Sequence, residues 1–163
     1  MKKISLVLTL LFCVTFAFSQ KYGHVNSSEV MQNMPGIDSV QIKLTNFHQN
    51  LQIYYENLAN EFQTKKDKFD KEAGTMSSAV RKSREDELVG IQNRIQEFSM
   101  NAQDEVEQEQ ARLIAPFQEK VQNAINEVAK EHKYSYIFDT TILLYYDGGD
   151  DITPLVKKKL GIK

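Results

Sequence analysis

Tryptophan is absent from this 163-residue chain, and cysteine occurs once. That cysteine, Cys13, sits inside an apolar N-terminal run. Beyond it no disulfide can staple the fold, and no thiol is available for catalysis or for a metal. Proline occurs three times and glycine seven times. So few chain breakers leave room for long helices. No second long apolar run follows the first, so the processed product is expected to be soluble outside the inner membrane. Excess positive charge is also lacking, with 20 bases against 22 acids. Nonspecific nucleic-acid binding is therefore not the expected role.

The first residues have the pattern of an export signal. Lys2 and Lys3 form a basic start, and Ile4 to Phe18 is an apolar run. Ala17-Phe18-Ser19 then places small residues at the −3 and −1 positions of a cleavage site. Cleavage after Ser19 and a periplasmic product are expected. A lipid anchor on Cys13 is disfavoured, because Leu11 and Phe12 precede it. Removal of residues 1–19 leaves 18 bases and 22 acids, a net charge of −4.

Tyr22 to Asn26 reads as a short strand, with Ser27 or Ser28 opening a turn of helix. Met34-Pro35-Gly36 punctuates. From Asp38 the pattern is helical. Val40, Leu44, Phe47, Leu51, Tyr54 and Leu58 step by four and three, as in a coiled-coil seam. Tyr55, Phe62, Phe69 and Met76 continue by sevens in a register shifted by one. Glu61 with Lys65, and Asp67 with Lys71, are expected i,i+4 pairs on a solvated face. Residues 73–78 break the helix, with Ser77 or Ser78 able to cap the next. Helical spacing resumes at Leu88, Ile91, Ile95, Phe98, Ala102 and Val106 and runs on to Val128. Gly90 weakens this helix, and Pro116 is expected to kink it. Tyr134 to Phe138 and Ile142 to Tyr146 read as two strands of a tight hairpin. Asp147 to Asp151 reads as a turn, and Thr153-Pro154 starts a short terminal helix.

The expected fold class is α+β, mostly helical. A long antiparallel helical-hairpin arm, residues 38–113 with its tip near 74–78, rises from a small β body of 20–37 and 114–163. Residues 20–163 form a single domain after the 1–19 signal. Three short strands cannot cover two faces or protect their edges, so oligomerisation should complete the sheet.

The candidate site residues follow from this layout. Phe62, Phe69, Met76 and Val80 are candidate client-binding groups, lying past the register slip where seam packing should be poorest. The competing reading of the aromatic stripe is an ordinary coiled-coil seam. Lys65, Lys66, Lys68, Lys71, Arg81, Lys82 and Arg84 form a basic arm tip. Between Lys65 and Arg84 seven bases meet three acids, whereas Glu85 to Arg112 holds two bases and eight acids. Contact of the tip with acidic clients or membrane lipid follows as one reading, and a plain solvated face as the other.

Catalytic and metal-binding patterns are missing. His24, His48 and His132 have no partner at ligand spacing, so no metal is expected. Asp147, Asp150 and Asp151 lack the twelve-residue calcium loop. No glycine-rich loop with Lys and Ser/Thr is present to hold nucleotide phosphates, and no other cofactor is expected. An enzyme is not expected.

The chain resembles the Skp/OmpH family of periplasmic chaperones. The resemblance rests on Tyr22-Gly23-His24-Val25-Asn26-Ser27 at one end and Met76-Ser77-Ser78 at the tip. It continues through Glu87-Leu88, Ile91-Gln92, Arg94 to Phe98, and Ala115-Pro116-Phe117 to Ala129. It ends on Tyr134 to Asp139, Asp151-Ile152-Thr153 and Val156-Lys157-Lys158. The resemblance implies a jellyfish-like homotrimer whose arms enclose a cavity. Unfolded outer-membrane β-barrel proteins would be held there without ATP. Well-known members are strongly basic and this chain is acidic, so the family's lipopolysaccharide-binding cluster is not carried over. The alternative is a structural envelope coiled coil that links fixed partners and has no client.

Overall fold

A computed structural model describes residues 20–162. The expected signal segment, residues 1–19, lies outside these residues. The element order is β1 (Tyr22–Val25), α1 (Ser27–Gln32), α2 (Ile37–Glu72), α3 (Ser78–Glu131), β2 (Tyr136–Asp139), β3 (Asp150–Asp151) and α4 (Thr153–Lys159). The chain is mostly helical, with one small three-stranded sheet. Two compact units divide it. One holds the described residues up to Met34 and from Glu119 onward, and the other holds Pro35–Gln118.

The second unit is the helical hairpin. Gly36 adopts a left-handed φ of 87° just before α2, which a side chain would resist. The 36 residues of α2 correspond to about 54 Å at 1.5 Å per residue. The turn at 73–77 follows, and the Ser77 hydroxyl accepts from the Val80 N–H to open α3. The two helices run antiparallel, as three cross-pairs show. Lys65 meets Glu87 at 2.5 Å, Arg94 meets Glu61 at 3.5 Å, and the Tyr54 and Phe98 rings lie 5.0 Å apart. The expected Glu61–Lys65 pair forms at 3.0 Å. The expected Asp67–Lys71 pair is not formed among the described residues. Asp67 instead accepts from Gln63, and Lys66 pairs with Asp70.

Only Val40, Leu58, Ile91 and Leu113 are buried in this unit. Two helices in contact can each hide one stripe, so their remaining faces stay in solvent. Helix α3 runs unbroken through Pro116.

The first unit contains the sheet. Strand β1 is central and pairs in parallel with both neighbours, in the order β2-β1-β3. Tyr22 lies opposite Tyr136, and His24 opposite Phe138 and Asp151. Val25, Val30, Met34, Val121, Ala124, Val128, Ile152 and Val156 are its buried apolar residues. The Thr153 hydroxyl accepts from the Asn26 N–H at 3.0 Å and ties α4 to the end of β1. Gly23 is required by close approach. A Cβ there would lie 3.2 Å from both Ile152 and Tyr134 and 3.3 Å from the Asp150 carbonyl.

The C-terminal hairpin expected from sequence does not form. Ile142–Tyr146 is not a strand, and the third strand comes from Asp150–Asp151, inside the expected turn. Both faces of β1 along its hydrogen-bonding edges are taken by parallel partners. The apolar 142–146 segment is left without a strand to pair with in its own chain.

Candidate binding surfaces

At the arm tip, Phe62, Phe69 and Met76 are half-buried within the hairpin. Their sevenfold spacing keeps them beside the α2–α3 seam. Val80 is 48% exposed. Phe69 and Met76 line a small cleft with Lys68 and Leu88, too narrow for more than a water-sized guest (about 20 Å³).

The tip cations are mostly neutralised by carboxylates that the fold brings beside them. Lys65 is shared by Glu61 and Glu87, and Arg84 also reaches Glu87 at 2.9 Å. Lys66 pairs with Asp70 and Lys82 with Asp86. The Glu87 carboxyl is accordingly held below its ordinary pKa, by the Lys65 and then the Arg84 hydrogen bond. Arg81 donates to the Ala73 carbonyl across the tip. Lys68, Lys71 and Arg81 have no carboxylate partner among the described residues. Over 61–87 seven bases face seven acids, so the positive excess seen between Lys65 and Arg84 is balanced by its immediate neighbours.

Midway along the arm the chemistry changes. Between Leu44 and Asn60 the only acid or base apart from His48 is Glu56, and between Ile95 and Gln103 it is Glu97. These two stretches face each other in the hairpin. A cleft of about 280 Å³ opens on one flank there. Leu51, Tyr55, Phe98, Ala102 and Val106 supply its apolar lining, and His48, Gln52 and Gln103 its polar rim. Gln52 donates to Glu56 and Gln103 to Glu107, each at 2.9 Å. The sequence reading kept Tyr54 and Leu51 for the seam and missed this flank. An uncharged run was visible, but the cleft needs both helices to exist.

In the sheet unit, the Tyr22, Tyr136 and Phe138 rings stack on one another, at 5.8 to 6.5 Å, on the exposed side of β1 and β2. Ile142 and Tyr145 are exposed by more than three quarters, and Leu144 is fully exposed. Tyr146 lies 4.7 Å from the His24 ring. The Nδ1 atom of His24 is buried without a hydrogen-bond partner among the described residues. Lys21 and Tyr134 both engage Asp150, at 3.0 and 2.7 Å. Among the described residues no group of three or more His, Cys, Asp or Glu could hold a metal ion. Nor is any described helix long and apolar enough to cross a membrane.

A hairpin arm with a small parallel sheet, and apolar groups left open on both, defines a binding scaffold. The model of the family "Outer membrane protein (OmpH-like)" matches residues 21–160, and the chain belongs to that family. Among curated relatives, Chaperone protein Skp of Photorhabdus laumondii is 28% identical over 98% of this chain and 99% of its own length. Chaperone protein Skp of Yersinia enterocolitica is 23% identical over 86% of this chain and 85% of its own. A solved OmpH-like structure from Caulobacter crescentus has the same fold, with a TM-score of 0.70 at 16% identity, over 86% of this chain and 83% of that one.

Proposed function

We propose that the chain is a periplasmic holdase chaperone that binds unfolded outer-membrane β-barrel proteins and prevents their aggregation without ATP. Its mechanism is confinement plus many weak apolar and polar contacts, with no covalent step. The observation that carries this reading is the arm. It is about 54 Å of hairpin with four buried side chains, so its apolar and amide groups are available to a partner. Full-length similarity to proteins named Chaperone protein Skp supports it.

The working unit is a homo-oligomer, in our reading a trimer. Ile142–Tyr146 is an apolar segment with no strand partner among the described residues, and the Tyr22–Tyr136–Phe138 stack is also exposed. A neighbouring copy covers both and closes the sheet. At the tip, Lys68 and Lys71 are the cations that meet acidic clients or lipid headgroups, with Arg81 beside them on the Ala73 carbonyl. Phe62, Phe69, Met76 and Val80 contribute apolar contacts when the tip opens.

The test is dilution of an unfolded outer-membrane β-barrel protein from urea, with and without the chain beginning at Gln20, in the absence of ATP. Suppressed aggregation that saturates near one oligomer per client is the expected result. No suppression by a folded oligomer rejects the holdase and favours an envelope coiled coil with fixed partners.

A further inference from the structure

We propose that the uncharged cleft midway along the arm is the subsite that seats barrel-strand segments of the unfolded client. This rests on the holdase reading above. A long exposed helix is ordinarily kept soluble by charge, and most of this arm follows that rule. Residues 61–87 carry fourteen charged groups, and the run from Asp104 to Glu109 carries four acids. Between them lie the Leu44–Asn60 and Ile95–Gln103 stretches, with one carboxylate each. The gap in charge falls on both helices at the same level, where the cleft opens.

What fits there is set by chemistry. A charge entering this open cleft loses part of its hydration, and Glu56 and Glu107 already stand at the rim, so apolar segments are favoured over charged ones. An extended strand carries unpaired backbone N–H and C=O groups along both edges. Gln52 and Gln103 carry side-chain amides that both donate and accept, and His48 adds a ring nitrogen pair. A barrel strand alternates apolar with polar residues over roughly ten positions. Its apolar side chains suit the Tyr55, Phe98 and Val106 lining, and its backbone suits the amide rim. Both walls are poor in charge at one level only over the nine residues of Ile95–Gln103, about 13 Å, enough to run beside about four extended residues at about 3.3 Å each. The charged stretches on either side limit the bound segment to that length.

The test compares two double variants of the full oligomer. Gln52→Lys with Gln103→Lys puts charge on the cleft rim, and each lysine keeps an acid four residues away. Asn50→Lys with Asn101→Lys adds the same charge at the same level, about 200° round each helix. A fluorescently labelled unfolded outer-membrane barrel, diluted from urea, is titrated by anisotropy. The rim variant is expected to raise Kd about tenfold, near 1.4 kcal/mol, and the control less than twofold. Equal binding by both variants and wild type, or equal weakening in both, overturns the assignment. A change in oligomer mass for the rim variant without client overturns it too, because the cleft then seats a second copy. Wild type that fails to bind removes the holdase reading itself, a different result. If the rim variant loses helicity, Gln52→Cys carrying a photo-crosslinker decides. It is expected to capture the barrel where Asn50→Cys does not, and equal capture at both positions sinks the proposal.

Discussion

Gly23 shows how tightly single residues are constrained in the sheet unit. Its missing side chain lets β1 approach Ile152, Tyr134 and the Asp150 carbonyl within 3.2 to 3.3 Å of where a Cβ would stand. One of these neighbours is backbone, which cannot swing aside. Gly23→Ala is expected to destabilise this unit by about 1–3 kcal/mol, read as a lower urea midpoint with unchanged helicity of the arm. The carboxyls that close the same unit give a second prediction. Burial raises the Asp139 pKa, but hydrogen bonds from Ser27 and Thr141 outweigh it and hold the group below its ordinary value. Asp151 behaves likewise, with Thr153 as its donor. A depressed carboxyl stabilises the fold above its unfolded pKa, and that contribution is lost as pH falls through the folded value. Thermal midpoints are therefore expected to hold from neutral pH down to about 5 and to fall below about 4. Asp139→Asn is expected to flatten that acid limb.

At the scale of elements, the arm was legible because its signals are local. The three-four spacing from Val40 to Leu58, the break at Ala73–Ser78 and the renewed spacing from Leu88 each depend on neighbouring residues. They correspond to Ile37–Glu72 and Ser78–Glu131 in the structure. The strands were harder because their partners are remote. Ile142–Tyr146 has the composition of a strand, yet it joins neither of the outer edges that β2 and β3 leave open. Asp150–Asp151 has the composition of a turn, yet it lies along β1 because Gly23 leaves room there. The mid-arm cleft was hidden for a related reason, since its two walls are some fifty residues apart in sequence. Gly90 offers a local test of the arm. A Cβ at this position meets nothing within 4 Å, and the residue lies inside α3. Gly90→Ala is expected to stabilise the hairpin by about 0.5–1 kcal/mol, measured as a higher midpoint for loss of helicity.

For the whole molecule, the decisive feature is what a lone chain leaves uncovered. Leu144 is fully exposed, and Ile142 and Tyr145 nearly so, and the same unit carries a three-ring aromatic stack. A patch of this kind marks a surface for a partner. Leu144→Asp together with Tyr145→Asp is expected to shift the mass in light scattering toward that of a single chain. An unchanged oligomer would place the interface elsewhere.

The parallel pairing of β1 also sets a timetable. Tyr22 meets Tyr136, and His24 meets Asp151, so the first strand to emerge waits for nearly the last residues of the chain. The hairpin arm needs no such delay, because its contacts close around a short turn. During folding the arm can therefore form while its own sheet is still open, with an unpaired strand on show. For that interval the protein presents the same hazard as an unfolded β-barrel, and the slow, non-local closure of the sheet ends it.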